Sequence, residues 1–220
     1  MPKPFKARLD ILPKAQQEIW PQLSPARQAS FVLYGGTAAA LHLGHRVSID
    51  FDFFSSQPLD KKQLANDFGF VRAGQIIQDS PDTLVVMANM PSGPVKVSFF
   101  GGLQIGHVDE PLQTSDNVLV VASLADLMAT KLKAILDRAE AKDYRDIAAM
   151  ISAGVSLERG LGAFAKMFDS DPALPLKAIG FFKDGDLPSL PKADQEVLRR
   201  ARDRVAEVPI VELKSGLSAD

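Results

Sequence analysis

The most regular pattern in the chain is an unbroken polar–apolar alternation over Arg46-Val-Ser-Ile-Asp-Phe-Asp-Phe53. Successive strand side chains face opposite ways, so this pattern predicts a strand over 46–53. Val47, Ile49, Phe51 and Phe53 would face a core, and Arg46, Ser48, Asp50 and Asp52 would share the other face. Upstream, Phe31-Val-Leu-Tyr34 reads as a short buried strand broken by Gly35-Gly36. Thr37–Leu43 then suits a helix, with Gly44 as its C-terminal cap. The first 30 residues read as two short helices, with Ser24 as an N-cap and Pro25 at a first helical position. Trp20 reads as a core anchor for these helices rather than as a stacking platform for a base.

Downstream, a helix is predicted around 59–68, and apolar strands over 83–87 and 95–100. Pro91-Ser-Gly-Pro94 joins those strands as a hairpin turn. Residues 118–121 read as another strand. Ser123-Leu-Ala-Asp126 is a capping box that opens a helix to about Arg138. A further helix runs from about Asp143 to Ala153 and stops at Gly154. Helical periodicity continues over 157–168, 173–182 and 193–207, with Gly and Pro between the segments. The chain is therefore an α/β protein, with a small mixed-sheet domain over 1–122 that includes the N-terminal helices. An all-helical domain over 123–213 follows, then a frayed tail over 214–220.

Composition narrows the picture little. At 220 residues, 46% hydrophobic and 24% charged, the sequence matches an ordinary globular protein. It has no cysteine, which excludes thiol catalysis and Cys-based zinc sites. No apolar run follows the N-terminus as a signal peptide would, and none reaches the ~18 residues of a membrane span. The expected location is the cytoplasm, with no membrane partner. A net charge of −2 argues against wholesale coating of nucleic acid but leaves room for a local basic patch.

Chemistry enters with Asp50 and Asp52. Carboxylates at i and i+2 of a strand share one face, roughly 6–7 Å apart at Cα, and can converge on hard cations such as Mg²⁺. An amphipathic strand with a merely wet face is the plain alternative, although strands disfavour Asp. Gly35-Gly36-Thr37, between a strand and a helix, adds a backbone able to approach phosphate. A phosphate cradle beside a carboxylate pair is the equipment that nucleotidyl transfer needs. Further on, Lys131 and Arg138 fall along the edge of an apolar helix stripe, where they either snorkel over apolar surface or reach phosphate oxygens. Asp143 and Asp146 lie on the inward stripe of the next helix. Capping explains Asp143 equally well, whereas Asp146 has no such explanation. It can hold Lys131, Lys142 or Arg138, or one of the two aspartates can orient an acceptor hydroxyl. Along Val95–Phe100 the polar-face residues are Lys96 and Ser98, with no third carboxylate. His42 and His45 lack a third nitrogen or sulfur ligand that would make a transition-metal site.

Leu33 to Ser55, from Leu-Tyr-Gly-Gly-Thr through Ser-Ile-Asp-Phe-Asp-Phe-Phe-Ser, resembles the opening motifs of AbiEii/AbiGii-type nucleotidyltransferase toxins. These belong to the DNA polymerase β-like nucleotidyltransferase superfamily. Lys131–Arg138 resembles that family's third motif, Lys142–Ile147 its fourth, and Leu176–Asp184 a further common segment. The resemblance implies a nucleotidyltransferase sheet followed by a helical domain. It also implies Mg²⁺-dependent (or Mn²⁺-dependent) transfer of a nucleotide from an NTP, with the 3′ end of tRNA as acceptor and a cognate antitoxin. On this reading Asp50 and Asp52 bind the metal, and Lys131, Asp143 and Asp146 join them in catalysis. Gly35, Gly36, Thr37, Arg46, Ser48, Arg138 and Lys142 contact the substrate. The superfamily's third acidic residue has no counterpart at Lys96 or Ser98. Either one metal suffices, or Asp143 or Asp146 substitutes, or the site binds nucleotide without turnover. A protein or small-molecule acceptor and a non-catalytic nucleotide-binding module remain alternatives.

Overall fold

In a computed structural model that describes residues 4–217, the chain divides into two compact units. The first comprises residues up to Gly106, Glu110–Ala122 and the residues from Ser215. It opens with a short strand β1 (Pro4–Phe5), α1 (Lys14–Ile19) and α2 (Pro25–Gln28). Then come β2 (Val32–Tyr34), α3 (Gly35–Leu43), β3 (Asp50–Phe54), α4 (Lys61–Asp67) and α5 (Gly69–Ala73). The remaining strands are β4 (Gln75–Ser80), β5 (Thr83–Met90), β6 (Gly93–Phe100), β7 (Leu112–Thr114) and β8 (Val120–Val121). All eight form one sheet in the order β1-β7-β8-β2-β3-β6-β5-β4. The sheet is mixed: β3 is antiparallel to β2 and parallel to β6, and β5 and β6 form the predicted hairpin.

One face of β3 explains why its register cannot slip. Phe51 and Phe53 are wholly buried, and Phe53 packs on Phe99 and Phe31 with ring centroids 5.4 Å and 6.3 Å away. Phe68 joins Phe99 at 5.2 Å, and Trp20 meets Phe51 at 6.2 Å. Each such ring contributes about 1.5–3 kcal/mol on burial. A slip of one residue would put the phenylalanines in water and the aspartates in the core. Trp20 is a core anchor, as expected, with its Nε1 donating to Asp116 Oδ2 at 2.8 Å.

The strand is shorter at its start than the alternation predicts. It begins at Asp50, and Val47 and Ile49 are 57% and 65% exposed. The register with β6 pairs Asp50 with Lys96, so the next positions back on β6 are Val95, Pro94 and Gly93. Pro94 has no N–H to continue a ladder, and the β3–β6 pairing begins only at Asp50 and Lys96 although β6 itself starts at Gly93. Ser24 is itself helical and makes no side-chain cap, although Pro25 does occupy the first helical position. The strand β4 carries no clear alternation and is exposed along nearly its whole length at the sheet edge.

The second unit holds His107–Asp109 and Ser123–Lys214. It contains α6 (Leu124–Asp137), α7 (Ala141–Ser152), α8 (Leu157–Phe168), α9 (Ala173–Ala178) and α10 (Lys192–Arg204). The capping box forms as expected, with the Ser123 hydroxyl accepting from the Asp126 N–H. Asp126 also accepts from the Val108 N–H at 2.6 Å, and Arg159 bonds Asp109 at 2.5 Å, which holds the 107–109 segment to this unit. The helix α7 starts at Ala141, two residues before the predicted Asp143. The Asp186 carboxylate caps it from a distance by accepting the Ala141 N–H at 2.6 Å. Lys214 makes an antiparallel bridge with His107, while residues 218–220 of the expected tail lie outside the described residues. Among the described residues no helix is long and apolar enough to cross a membrane.

Candidate nucleotide site

The turn from β2 into α3 places backbone against carboxylate. Gly35 has φ +74°, a conformation that side-chain-bearing residues rarely adopt, and a Cβ there would stand 2.5 Å from Asp52 Oδ2. A Cβ on Gly36 would stand 2.5 Å from an Arg46 Nη and 2.9 Å from Ser48 Oγ. The positive φ favours glycine at 35, while at 36 a side chain would have to displace the Arg46 guanidinium and the Ser48 hydroxyl; the turn brings Gly35, Gly36, Arg46, Ser48 and Asp52 together. The first N–H groups of α3 have no acceptor within the helix and carry the positive end of its dipole. Thr37 is buried, and its hydroxyl donates to the Asp50 carbonyl oxygen. That contact ties the first turn of α3 to β3, so Thr37 can offer phosphate its backbone rather than its side chain.

On the polar face of β3, Asp50 and Asp52 are both partly exposed. In the parallel register Asp50 lies beside Lys96 and Asp52 beside Ser98, the two polar-face residues of the Val95–Phe100 segment. The Lys96 ammonium is 3.0 Å from Asp50 Oδ2, an ion pair that residue spacing alone did not reveal. Its signal was the lysine at the strand position where a third carboxylate was sought. Two carboxylates with hard oxygen donors fit Mg²⁺ or Mn²⁺, which take few protein ligands and complete their shell with water and phosphate. Among the described residues no group of three or more His, Asp or Glu converges as a ready-made cage. His42 instead shares a hydrogen bond with the Ala122 carbonyl at 2.9 Å and stacks on Phe5.

The remaining candidates gather in the helical unit. Lys131, 5% exposed, lies 2.6 Å from Asp143 Oδ1 and 2.7 Å from Asp146 Oδ2, and both aspartates are wholly buried. Arg138 adds a forked contact to Asp143, at 2.8 Å through Nε and 3.3 Å through Nη2. Burial alone would raise the Asp143 carboxyl, but the hydrogen bonds and charges of Arg138 and Lys131 outweigh it and hold the group below the usual carboxylate range. Asp143 is therefore not an N-cap, because α7 is already under way at that position. Lys142 joins this cluster only at its edge, pairing at 2.6 Å with Glu140 Oε2, an oxygen that also lies 3.7 Å from Arg138 Nε. The side chains of Arg138 and Lys142 are 48% and 51% exposed, so both cations are open to solvent.

Over 119 residues, 53% of this chain, the sequence is 30% identical to the Uncharacterized protein aq_aa25 of Aquifex aeolicus (strain VF5). That match spans 55% of the Aquifex protein, about half its length. The family model described as Nucleotidyl transferase AbiEii toxin, Type IV TA system matches residues 24–209 and so takes in both the β3 carboxylates and the Lys131 cluster. The chain belongs to the AbiEii nucleotidyl transferase toxin family of type IV toxin–antitoxin systems.

Proposed function

We propose that this nucleotidyltransferase moves a nucleotide from an NTP to a hydroxyl at an RNA end, the tRNA 3′ end first among candidates, in a reaction that requires Mg²⁺ or Mn²⁺. The observation that carries the reading is the approach of Gly35 to the Asp52 carboxylate, which sets the N-terminus of α3 against one of the two carboxylates proposed to hold the ion. Asp50 and Asp52 would hold the ion, which when bound supplies charge neutralisation at the phosphates. Asp52 packs against Gly35, and Arg46 and Ser48 against Gly36, so these side chains would border phosphate oxygens received by the N–H groups of α3. Asp143 and Asp146 fix the Lys131 ammonium, and Asp143 also fixes the Arg138 guanidinium. These are the cations proposed to offset charge that develops during transfer, with the half-exposed Arg138 the more accessible.

The RNA acceptor rests on family membership, as does a cognate antitoxin as partner, and the cytoplasm is the proposed location. Incubation with each labelled NTP, Mg²⁺ and total tRNA tests the reading. Label on RNA supports it. Label in protein bands or in a small soluble adduct moves the acceptor to those classes. The Lys96 and Ser98 positions favour one second reading, a nucleotide-binding module without turnover. Calorimetry that shows Mg²⁺-dependent NTP binding with no pyrophosphate release would support that reading.

A further inference from the structure

We infer that Lys96 is a phosphate-binding residue whose ammonium does the electrostatic work of a second metal ion, so that this site runs on one divalent cation. The inference rests on the nucleotidyltransferase reading of Asp50 and Asp52 and adds a residue to it. Three observations carry it. In the strand register Lys96 is the direct neighbour of Asp50, and Ser98 that of Asp52, so the position that could complete an acidic triad holds a cation. The ammonium is 3.0 Å from Asp50 Oδ2, within reach of anything that Asp50 would bind. Both side chains are about one-third exposed, so the pair is open to ligand rather than locked in the core.

The charge balance follows. Two carboxylates that converge on two Mg²⁺ ions give a strongly positive site, whereas two carboxylates with Lys96 suit one ion and a fixed monovalent charge. Before nucleotide binds, Lys96 neutralises Asp50 and competes with a divalent cation for its carboxylate. Once that carboxylate ligates a cation, the long flexible lysine stem lets the ammonium turn to triphosphate oxygens. Lys96 would thus weaken metal binding to the empty protein and strengthen nucleotide binding to the metal-loaded one.

Manganese binding to nucleotide-free protein, followed by electron paramagnetic resonance, separates these effects. Lys96→Met should bind Mn²⁺ about tenfold more tightly than wild type, the scale of one adjacent charge, while Lys96→Arg should stay near wild type. At saturating Mn²⁺, affinity for a non-hydrolysable NTP should fall about tenfold in Lys96→Met and stay near wild type in Lys96→Arg. Lys96→Gln serves the same comparison should the methionine variant melt early. Equal Mn²⁺ affinity in wild type, Lys96→Met and Lys96→Gln, with binding lost in Asp50→Asn, would overturn the Lys96 proposal and leave the metal reading standing. Binding that survives Asp50→Asn would overturn both.

Discussion

The backbone of Gly35 faces the Asp52 carboxylate so closely that a single methyl group there would stand 2.5 Å from Oδ2. That relationship joins the turn that opens α3 to the strand that carries the acidic pair, and it constrains both partners. Alanine at 35 must take up a left-handed conformation, at a cost of about 1 kcal/mol, and must also push Asp52 aside. Gly35→Ala should therefore lower the denaturant midpoint modestly and weaken NTP binding at least tenfold. A variant that binds NTP normally would separate the turn from the nucleotide site.

Lys131 answers for two buried carboxylates at once. Its removal in Lys131→Met leaves Asp143 and Asp146 without their shared ammonium, and breaking a buried pair in this way costs about 3–5 kcal/mol. Urea denaturation should show that loss. The triple variant Lys131→Met, Asp143→Asn, Asp146→Asn should recover much of it, because no uncompensated buried charge remains and Arg138, which loses its Asp143 partner, is half-exposed.

Stability should fall as the solution is acidified, in two stages. Burial pushes the His42 imidazole below its ordinary value of 6.5, against a smaller opposing effect of its bond to Ala122. The unfolded chain then takes up the proton first, so this contribution is complete well above pH 6.5 and shrinks as pH falls below it. Asp143, held below the usual carboxylate range, contributes stability that is present above pH 3.8 and is lost as pH falls through its folded value. Denaturant midpoints measured from pH 8 to pH 5 should decline in wild type and flatten in His42→Gln.

Trp20 is the sole tryptophan, which makes its bond to Asp116 directly readable. Asp116 also accepts from the Thr114 hydroxyl and the Val118 N–H, so it organises the β7–β8 turn as well as the indole. Asp116→Ala should leave a buried indole N–H unsatisfied and cost about 1–3 kcal/mol. The same transition should appear in Trp20 fluorescence and in circular dichroism.

Much of the carboxylate strand was legible because one side of it is pure burial. Phe51 and Phe53 had to face the core, which left Asp50 and Asp52 on the open side. Val47 and Ile49 continue the same alternation yet are exposed, because alternation reports which faces a strand would have and not whether a partner strand exists. The Gly35-Gly36 turn was legible as a special backbone position, but the carboxylate it meets depends on a tertiary approach. Asp143 resembles an N-cap, but the carboxylate that caps α7 is Asp186, 45 residues beyond Ala141 and invisible to local spacing. Lys96 was visible only as a missing acid. Its pairing with Asp50 depends on the parallel β3–β6 register, which no local pattern encodes.

If Asp50 ligates the ion, nucleotide transfer should depend on its carboxylate. The most direct test is the rate of label transfer from NTP to total tRNA in the presence of Mg²⁺, for wild type and Asp50→Asn side by side. The partly exposed position of Asp50 means that the asparagine variant should keep its fold, as the Trp20 signal would report. Wild type should transfer label, and Asp50→Asn should be slower by at least a hundredfold. Transfer at equal rates by a folded Asp50→Asn would contradict that role of Asp50.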